Sequence, residues 1–110
     1  MSDHRLEVLA ALADEIAARK SASPDTSYTA SLLAKGVEKC AKKLGEEAVE
    51  TALAAVLRDT KHVTAEAADL LYHLLVLLEA SDVRLAEVMN ELARRQGTSG
   101  IAEKASRPKD

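Results

Sequence analysis

The sequence contains few aromatic residues, glycines and prolines. Its 110 residues include two Tyr, no Phe or Trp, four Gly and two Pro, whereas Ala and Leu are abundant and charged residues make up 30%. This composition favours helices, because the aromatic and β-branched residues that pack well in sheets are scarce. The length suits one domain, so we expect no multidomain architecture.

The sequence also has little cysteine, no long apolar run and little net charge. A lone cysteine, Cys40, excludes an internal disulfide and suits a reducing compartment, where it is expected to be a small core residue. The apolar run from Leu74 to Leu78 has only five residues, which is too short to span a membrane. A net charge of −3 and only two Tyr disfavour a nucleic-acid partner.

Apolar periodicity and turn signals predict four helices. The first covers residues 4–20, and the Ser/Pro/Asp/Thr segment at 21–27 ends it. A long second helix is predicted over residues 28–58, with Gly36 and Gly45 inside it as hints of close approach by a backbone or ligand. Short connections precede a third helix over 62–80 and a fourth over 83–96. We therefore predict an all-α, antiparallel bundle of about four helices over residues 1–96, then a basic Gly/Ser/Thr-containing tail over 97–110.

Charged side chains form one stripe on the second predicted helix. At about 100° per residue, four lysines and three glutamates fall within an arc of roughly 140°. The stripe consists of Lys35, Lys39, Lys42, Lys43, Glu46, Glu47 and Glu50. The apolar sector opposite is predicted to pack into the bundle and consists of Leu33, Val37, Cys40, Ala41, Leu44, Ala48 and Ala52. A solvated helix face is one interpretation of the stripe, but three carboxylates within five residues repel unless a cation lies among them.

Two further carboxylates lie on the third predicted helix, which is apolar nearly all round. Glu66 and Asp69 are three residues apart there, and a buried, unpaired carboxylate needs a lysine or a metal ion. If the second and third helices pack antiparallel across residues 59–61, both carboxylates approach Glu47 and Glu50. Four oxygen-bearing side chains suit Mg²⁺, with Mn²⁺ as the alternative, rather than zinc.

Residues around this acidic centre allow more than one interpretation. His73, one turn after Asp69, is either a core histidine or a group that orients a substrate. Residues 94–110 carry five bases and two acids, and could form a phosphate cradle or a merely flexible tail. Basic segments on both sides of an acidic centre are what a metal and polyphosphate site requires.

Several motifs together carry a family resemblance. They are S-Y-T-A at 27–30, K-G-V-E-K at 35–39, K-K-L-G-E-E-A-V-E at 42–50, E-A-A-D-L-L-Y-H at 66–73, R-R-Q-G-T-S-G at 94–100 and E-K-A-S-R at 103–107. With them the sequence resembles the phosphoribosyl-ATP pyrophosphatases, a branch of the all-α nucleoside triphosphate pyrophosphatase (MazG-like) superfamily. The carboxylate motif is shared across the superfamily, while the lysines and the R-R-Q-G-T-S-G segment resemble this branch specifically.

The resemblance implies an activity, a cofactor and partners. It implies hydrolysis of 1-(5-phosphoribosyl)-ATP to 1-(5-phosphoribosyl)-AMP and pyrophosphate, a step of histidine biosynthesis, by a stand-alone cytoplasmic enzyme completed by dimerisation. Mg²⁺ is then expected on Glu47, Glu50, Glu66 and Asp69, and the catalytic carboxylates are Glu46, Glu47 and Glu50, with Glu46 orienting or deprotonating the attacking water. The expected substrate-binding residues are Lys35, Lys39, Lys42, Lys43, His73, Arg94, Arg95, Thr98, Ser99, Lys104 and Arg107.

Two alternatives remain open from the sequence. A MazG-like pyrophosphatase acting on ordinary or damaged nucleoside triphosphates would need the carboxylates but not the tail. A non-enzymatic helical dimerisation module would need neither, and Mg²⁺ would not stabilise it.

Overall fold

The computed structural model describes residues 4–108. Within that range all regular structure is helical, which confirms the predicted all-α class. The helices are α1 (Glu7–Ala18), α2 (Tyr28–Lys35), α3 (Val37–Val56), α4 (Thr60–Ala80), α5 (Leu85–Arg95) and α6 (Gly100–Ser106), and 3₁₀ turns at His4–Leu6 and Arg19–Ser21 flank α1. Residues 1–3 of the predicted bundle and 109–110 of the predicted tail lie outside the described residues.

The prediction of one long helix over residues 28–58 is wrong. Gly36 has φ +92° and ψ 176°, a backbone conformation that side-chain-bearing residues rarely adopt, and it separates α2 from α3. Ser27 begins α2 by accepting a hydrogen bond from the backbone N–H of Ala30. A Cβ atom built on Gly36 or Gly45 meets no atom within 4 Å, so the predicted close approach at these glycines is not found within residues 4–108.

Helices α3 and α4 form an antiparallel hairpin that is the main helix pair of the fold. Asp59 begins α4 by accepting a hydrogen bond from the backbone N–H of His62. Helices α1 and α2 pack on this pair. The fully buried centre consists of Ile16, Leu32, Cys40, Leu75 and Val76, which confirms that Cys40 is a core residue.

The face of α3 that packs on α4 differs from the predicted one. Its covered residues are spaced by three or four: Cys40 and Ala54 are buried, and Lys43, Leu44, Glu47 and Thr51 are half-buried. This spacing places them on one face of the helix, with Glu47 near its middle. The predicted packing of Val37, Ala41, Ala48 and Ala52 is wrong, because in this rotation of α3 all four are exposed.

The predicted basic tail contains a short helix. The predicted fourth helix is α5, and Ser99 then begins α6 by accepting a hydrogen bond from the backbone N–H of Ala102. Residues 100–106 are thus helical, which argues against the merely flexible tail. In the described part of the chain, no helix combines the length and hydrophobicity needed to cross a membrane.

Candidate metal and phosphate site

Three carboxylates meet where α3 packs against α4. Glu47, Glu66 and Asp69 each offer an oxygen, and these oxygens all lie within 4.8 Å of one another. Oε2 of Glu47 and Oε2 of Glu66 are buried and have no hydrogen-bond partner among the described residues. Buried carboxylate oxygens without partners are unfavourable unless a cation compensates them, so this donor set fits a hard divalent cation.

Glu50 adds a fourth carboxyl group on the same side of α3. The Glu50 carboxyl group beside Glu66, together with burial and the neighbouring Glu47, raises the pKa of Glu66 to about 7. Neighbouring acids disfavour each other's ionisation, and a bound cation would compensate the two negative charges. The structure therefore brings together Glu47, Glu66 and Asp69 of the predicted metal set, with Glu50 beside Glu66.

His62 is a neighbour of the cluster that the sequence analysis did not assign. Its Nε2 lies 3.6 Å from Oε1 of Glu66. The i, i+4 spacing on one helix was the available signal. With 53% of its side chain exposed, His62 stands at the rim of the cluster.

The lysines of the predicted stripe differ in burial and in their position on the helices. Lys43 Nζ lies 3.7 Å from Oε1 of Glu46, and both Lys39 and Lys43 are half-buried. Lys42 is exposed. Lys35 ends α2 instead of continuing the stripe, because Gly36 interrupts the helix. The stripe proper therefore begins at Lys39.

Aromatic rings lie next to the carboxylates. The ring centroid of His73 is 5.0 Å from that of Tyr72 and 6.2 Å from that of Tyr28, edge to face in both pairs. His73 is buried, and burial lowers its pKa despite the nearby negative charge of Glu47. His73 is among the predicted substrate-binding residues, whereas Tyr28, which lies in the S-Y-T-A motif, is not.

The predicted phosphate-binding arginines form a cluster of their own. Glu103, which is 6% exposed, accepts hydrogen bonds from Arg94 (2.9 Å) and Arg107 (3.0 Å), and Arg95 lies 3.6 Å away. Glu91 accepts bonds from Arg94 and Arg95. The guanidinium groups hold the pKa of Glu103 below its usual range and that of Glu91 at about 2. The ion pairs of Glu103 with Arg94 and Arg95 thus connect α6 to α5.

Comparison with known proteins identifies the family of the chain. The family model described as phosphoribosyl-ATP pyrophosphohydrolase matches residues 9–96, which contain all four carboxylates of the metal set. The chain belongs to this family.

Curated relatives share most of the chain. A protein of Dinoroseobacter shibae named phosphoribosyl-ATP pyrophosphatase is 65% identical over 102 residues, covering 93% of this chain and all of the relative. A protein of the same name from Paracoccus denitrificans is 65% identical over 96 residues, covering 87% of this chain and 89% of the relative. The predicted family is confirmed.

The predicted site residues therefore fall into two groups. The carboxylates, Lys43 and His73 lie together on α3 and α4. In the described range, Arg94, Arg95 and Arg107 pair with Glu91 and Glu103 and with no acid of α3 or α4. Thr98 and Lys104 are exposed beside this second group, and Ser99 accepts the α6 capping bond described above.

Proposed function

We propose that the chain hydrolyses phosphoribosyl-ATP to phosphoribosyl-AMP and pyrophosphate. Membership of the phosphoribosyl-ATP pyrophosphohydrolase family supports the substrate. The observation that carries the chemistry is the convergence of Glu47, Glu66 and Asp69 oxygens within 4.8 Å. A triphosphate is strongly negative, so its hydrolysis at a site made of carboxylates requires positive charge between the two.

Glu47, Glu50, Glu66 and Asp69 would hold Mg²⁺, with Mn²⁺ as the alternative. The unpaired buried oxygens of Glu47 and Glu66 and the preference of these cations for oxygen ligands support this assignment. When bound, the cation would neutralise phosphate charge and polarise the phosphoryl oxygens.

The remaining groups of α3 act on water and on phosphate. Glu46 accepts a proton from the attacking water, whose oxygen forms a bond to phosphorus while the bond between the α- and β-phosphates breaks. Lys43, beside Glu46, and Lys39 and Lys42 on the same helix compensate the charge of the triphosphate. Lys35, at the end of α2, and His73 complete the contacts to the substrate.

The second group of basic residues is proposed to bind the ribose 5-phosphate. A guanidinium group has five donors, so Arg94, Arg95 and Arg107 keep free N–H groups after pairing with carboxylates. The exposed side chains of Thr98 and Lys104, together with Ser99, lie next to them in sequence. The ion pairs with Glu103 pre-orient the guanidinium groups, which favours bidentate contacts with phosphate.

We also propose that the enzyme works in the cytoplasm as a homodimer or a higher homo-oligomer. The exposed side of α3 supports the oligomer, since Val49, Leu53, Val56 and Leu57 are each more than half exposed there. Contiguous apolar surface of this kind is typical of an interaction face. The buried, free thiol of Cys40 is consistent with a reducing compartment.

Pyrophosphate release tests the activity. Phosphoribosyl-ATP is compared with ATP and the four dNTPs in the presence of Mg²⁺, with a Glu50→Gln variant as the control for the metal site. We expect rapid release from phosphoribosyl-ATP and little from the others, and a marked loss in the variant. Preferential turnover of a dNTP would instead support the general nucleotide pyrophosphatase, and no turnover of any substrate would overturn the enzymatic proposal.

A further inference from the structure

Three rings form a small cluster beside the carboxylates. Tyr28 at the start of α2 stacks on Tyr72 of α4 with ring centroids 6.3 Å apart and an interplanar angle of 18°. Both rings pack against the neighbouring ring of His73. The hydroxyl groups of Tyr72 and Thr29 are hydrogen bonded to each other, which fixes the Tyr72 ring. Tyr28 is 57% exposed, so the outermost ring of the cluster faces solvent.

His73 adds an unsatisfied polar atom to this cluster. The residue is 5% exposed, and its Nδ1 is buried without a hydrogen-bond partner among residues 4–108. His73 lies one turn after Asp69 on α4, and the charge of Glu47 acts on its pKa. A flat apolar surface with one free polar atom beside it, next to acidic groups, suits a planar and positively charged heterocycle.

We propose that Tyr28, supported by Tyr72 and His73, binds the adenine ring of the substrate and distinguishes N1-substituted adenine from ordinary adenine. This inference rests on the proposed function, because it takes phosphoribosyl-ATP as the substrate. Tyr28 is the specificity-determining residue and Tyr72 is a positioning residue, while His73 contacts the edge of the base.

The chemistry of the base supplies the selectivity. In phosphoribosyl-ATP the second ribose is attached to N1, so the adenine becomes an amidine that takes up a proton and carries positive charge. Aromatic faces attract such cations, whereas the neutral base of ATP gains only stacking. Beside these rings, Nδ1 of His73 is the polar atom for the edge of the base, since in one neutral tautomer it accepts an N–H.

Binding of monophosphates tests this proposal without any turnover. AMP and 1-methyl-AMP differ only in the N1 substituent and its charge, and neither can release pyrophosphate. Titrations of the full chain with Mg²⁺ are expected to show tighter binding of 1-methyl-AMP by about 2- to 30-fold, the range for a cation on an aromatic face. Inorganic pyrophosphate, which has no base, reports on the phosphate-binding groups alone.

Two substitutions at one position separate the ring from the hydroxyl group. Tyr28→Leu is expected to bring the affinity ratio of 1-methyl-AMP to AMP close to one, while Tyr28→Phe keeps it. Pyrophosphate affinity is expected to be unchanged in both variants. In the wild-type protein, a nuclear Overhauser effect between the N1-methyl protons and the Tyr28 ring is expected, and this measurement does not depend on a variant folding.

Several results would overturn the inference. They are equal affinities of the wild-type protein for AMP and 1-methyl-AMP, a ratio unchanged in Tyr28→Leu, and a parallel loss of pyrophosphate affinity in that variant, which would indicate a structural role. Failure of the proposed function is seen separately, as absence of phosphoribosyl-ATP turnover by a wild-type protein that still prefers 1-methyl-AMP.

Discussion

The carboxyl group of Glu50 on α3 lies beside that of Glu66 on α4, and this neighbour is the main reason that the pKa of Glu66 rises to about 7. A proton held between two acids marks a place where a cation would be favourable. Because the cation competes with that proton, metal binding and proton release are linked at this site.

The first prediction concerns pH and the Glu50–Glu66 pair. In protein treated with a chelator, Glu66 of the folded state keeps its proton at pH values between its ordinary pKa of 4.5 and about 7. The unfolded state has lost that proton in the same pH range. The contribution of Glu66 to stability is therefore complete below 4.5 and declines as the pH rises to about 7. Urea unfolding at several pH values measures this, and Glu50→Gln is expected to weaken the decline.

The difference between the pH profiles of the wild-type protein and Glu50→Gln measures the contribution of the Glu50–Glu66 pair. The lowered pKa of His73 acts in the opposite direction, because it adds stability as the pH rises toward the ordinary pKa of histidine. This contribution is common to both proteins. Identical pH profiles for wild type and Glu50→Gln would contradict the assignment.

The second prediction concerns Mg²⁺ and Glu47. A cation that binds only the folded state raises the free energy of unfolding by about 2.7 kcal/mol at 100 times its Kd. We expect Glu47→Gln to lose most of this gain in thermal unfolding, because it removes a ligand. Glu38→Gln, at an exposed position in the first turn of the same helix, is the matched control and should keep the full gain. Equal stabilisation of both variants by Mg²⁺ would remove Glu47 from the metal set.

The third prediction concerns Glu103 and the attachment of α6. Glu103→Gln removes the charge that Arg94 and Arg107 share, so α6 is expected to open more often. Amide hydrogen exchange over residues 100–106 should accelerate by on the order of tenfold or more. In the wild-type protein, the bonds of Glu103 to Arg94 and Arg107 should weaken only in acid, as the pH falls through the lowered pKa of Glu103. Glu87→Gln, an exposed change of the same charge on α5, should leave α6 exchange as it is.

The fourth prediction compares two glycines. Gly36→Ala is expected to destabilise the protein by about 1–3 kcal/mol, because φ is +92° there. Gly45→Ala is expected to stabilise it by about 0.5–1 kcal/mol, since Gly45 lies within α3 and an added Cβ meets no atom within 4 Å. Urea unfolding measures both. A destabilising Gly45→Ala would point to a neighbour packed on that side of α3, such as a second subunit.

The fifth prediction concerns the exposed apolar face of α3. Leu53→Glu places a charge on a face where Leu53 is 58% and Val56 77% exposed, and it should convert a dimer into a monomer in analytical ultracentrifugation. Lys61→Glu, an exposed change outside that face, should not. Sedimentation of the wild-type chain as a monomer at micromolar concentration would contradict the oligomer.

Much of the site could be predicted because its geometry follows from local rules. Helical spacing aligns Glu47 with Glu50 on one helix and Glu66 with Asp69 on the next. The short connection at Asp59 makes the two helices antiparallel, so that equal distances from the turn bring these carboxylates together. The motifs that contain them also indicated the family correctly.

Local periodicity and turn signals were enough to predict the all-α class, the bounds of α4 to within two residues and the meeting of Glu47, Glu66 and Asp69. Three-dimensional packing was needed to reveal the break at Gly36, because the apolar period continues across it and does not depend on backbone φ. It also decided which face of α3 is covered, the pairing of Arg94 with Glu103, and the stacking of Tyr28 on Tyr72. These contacts form between different helices, whereas the periodicity of the sequence gives information about each helix separately. The rotation and packing of one helix against another depend on the whole core.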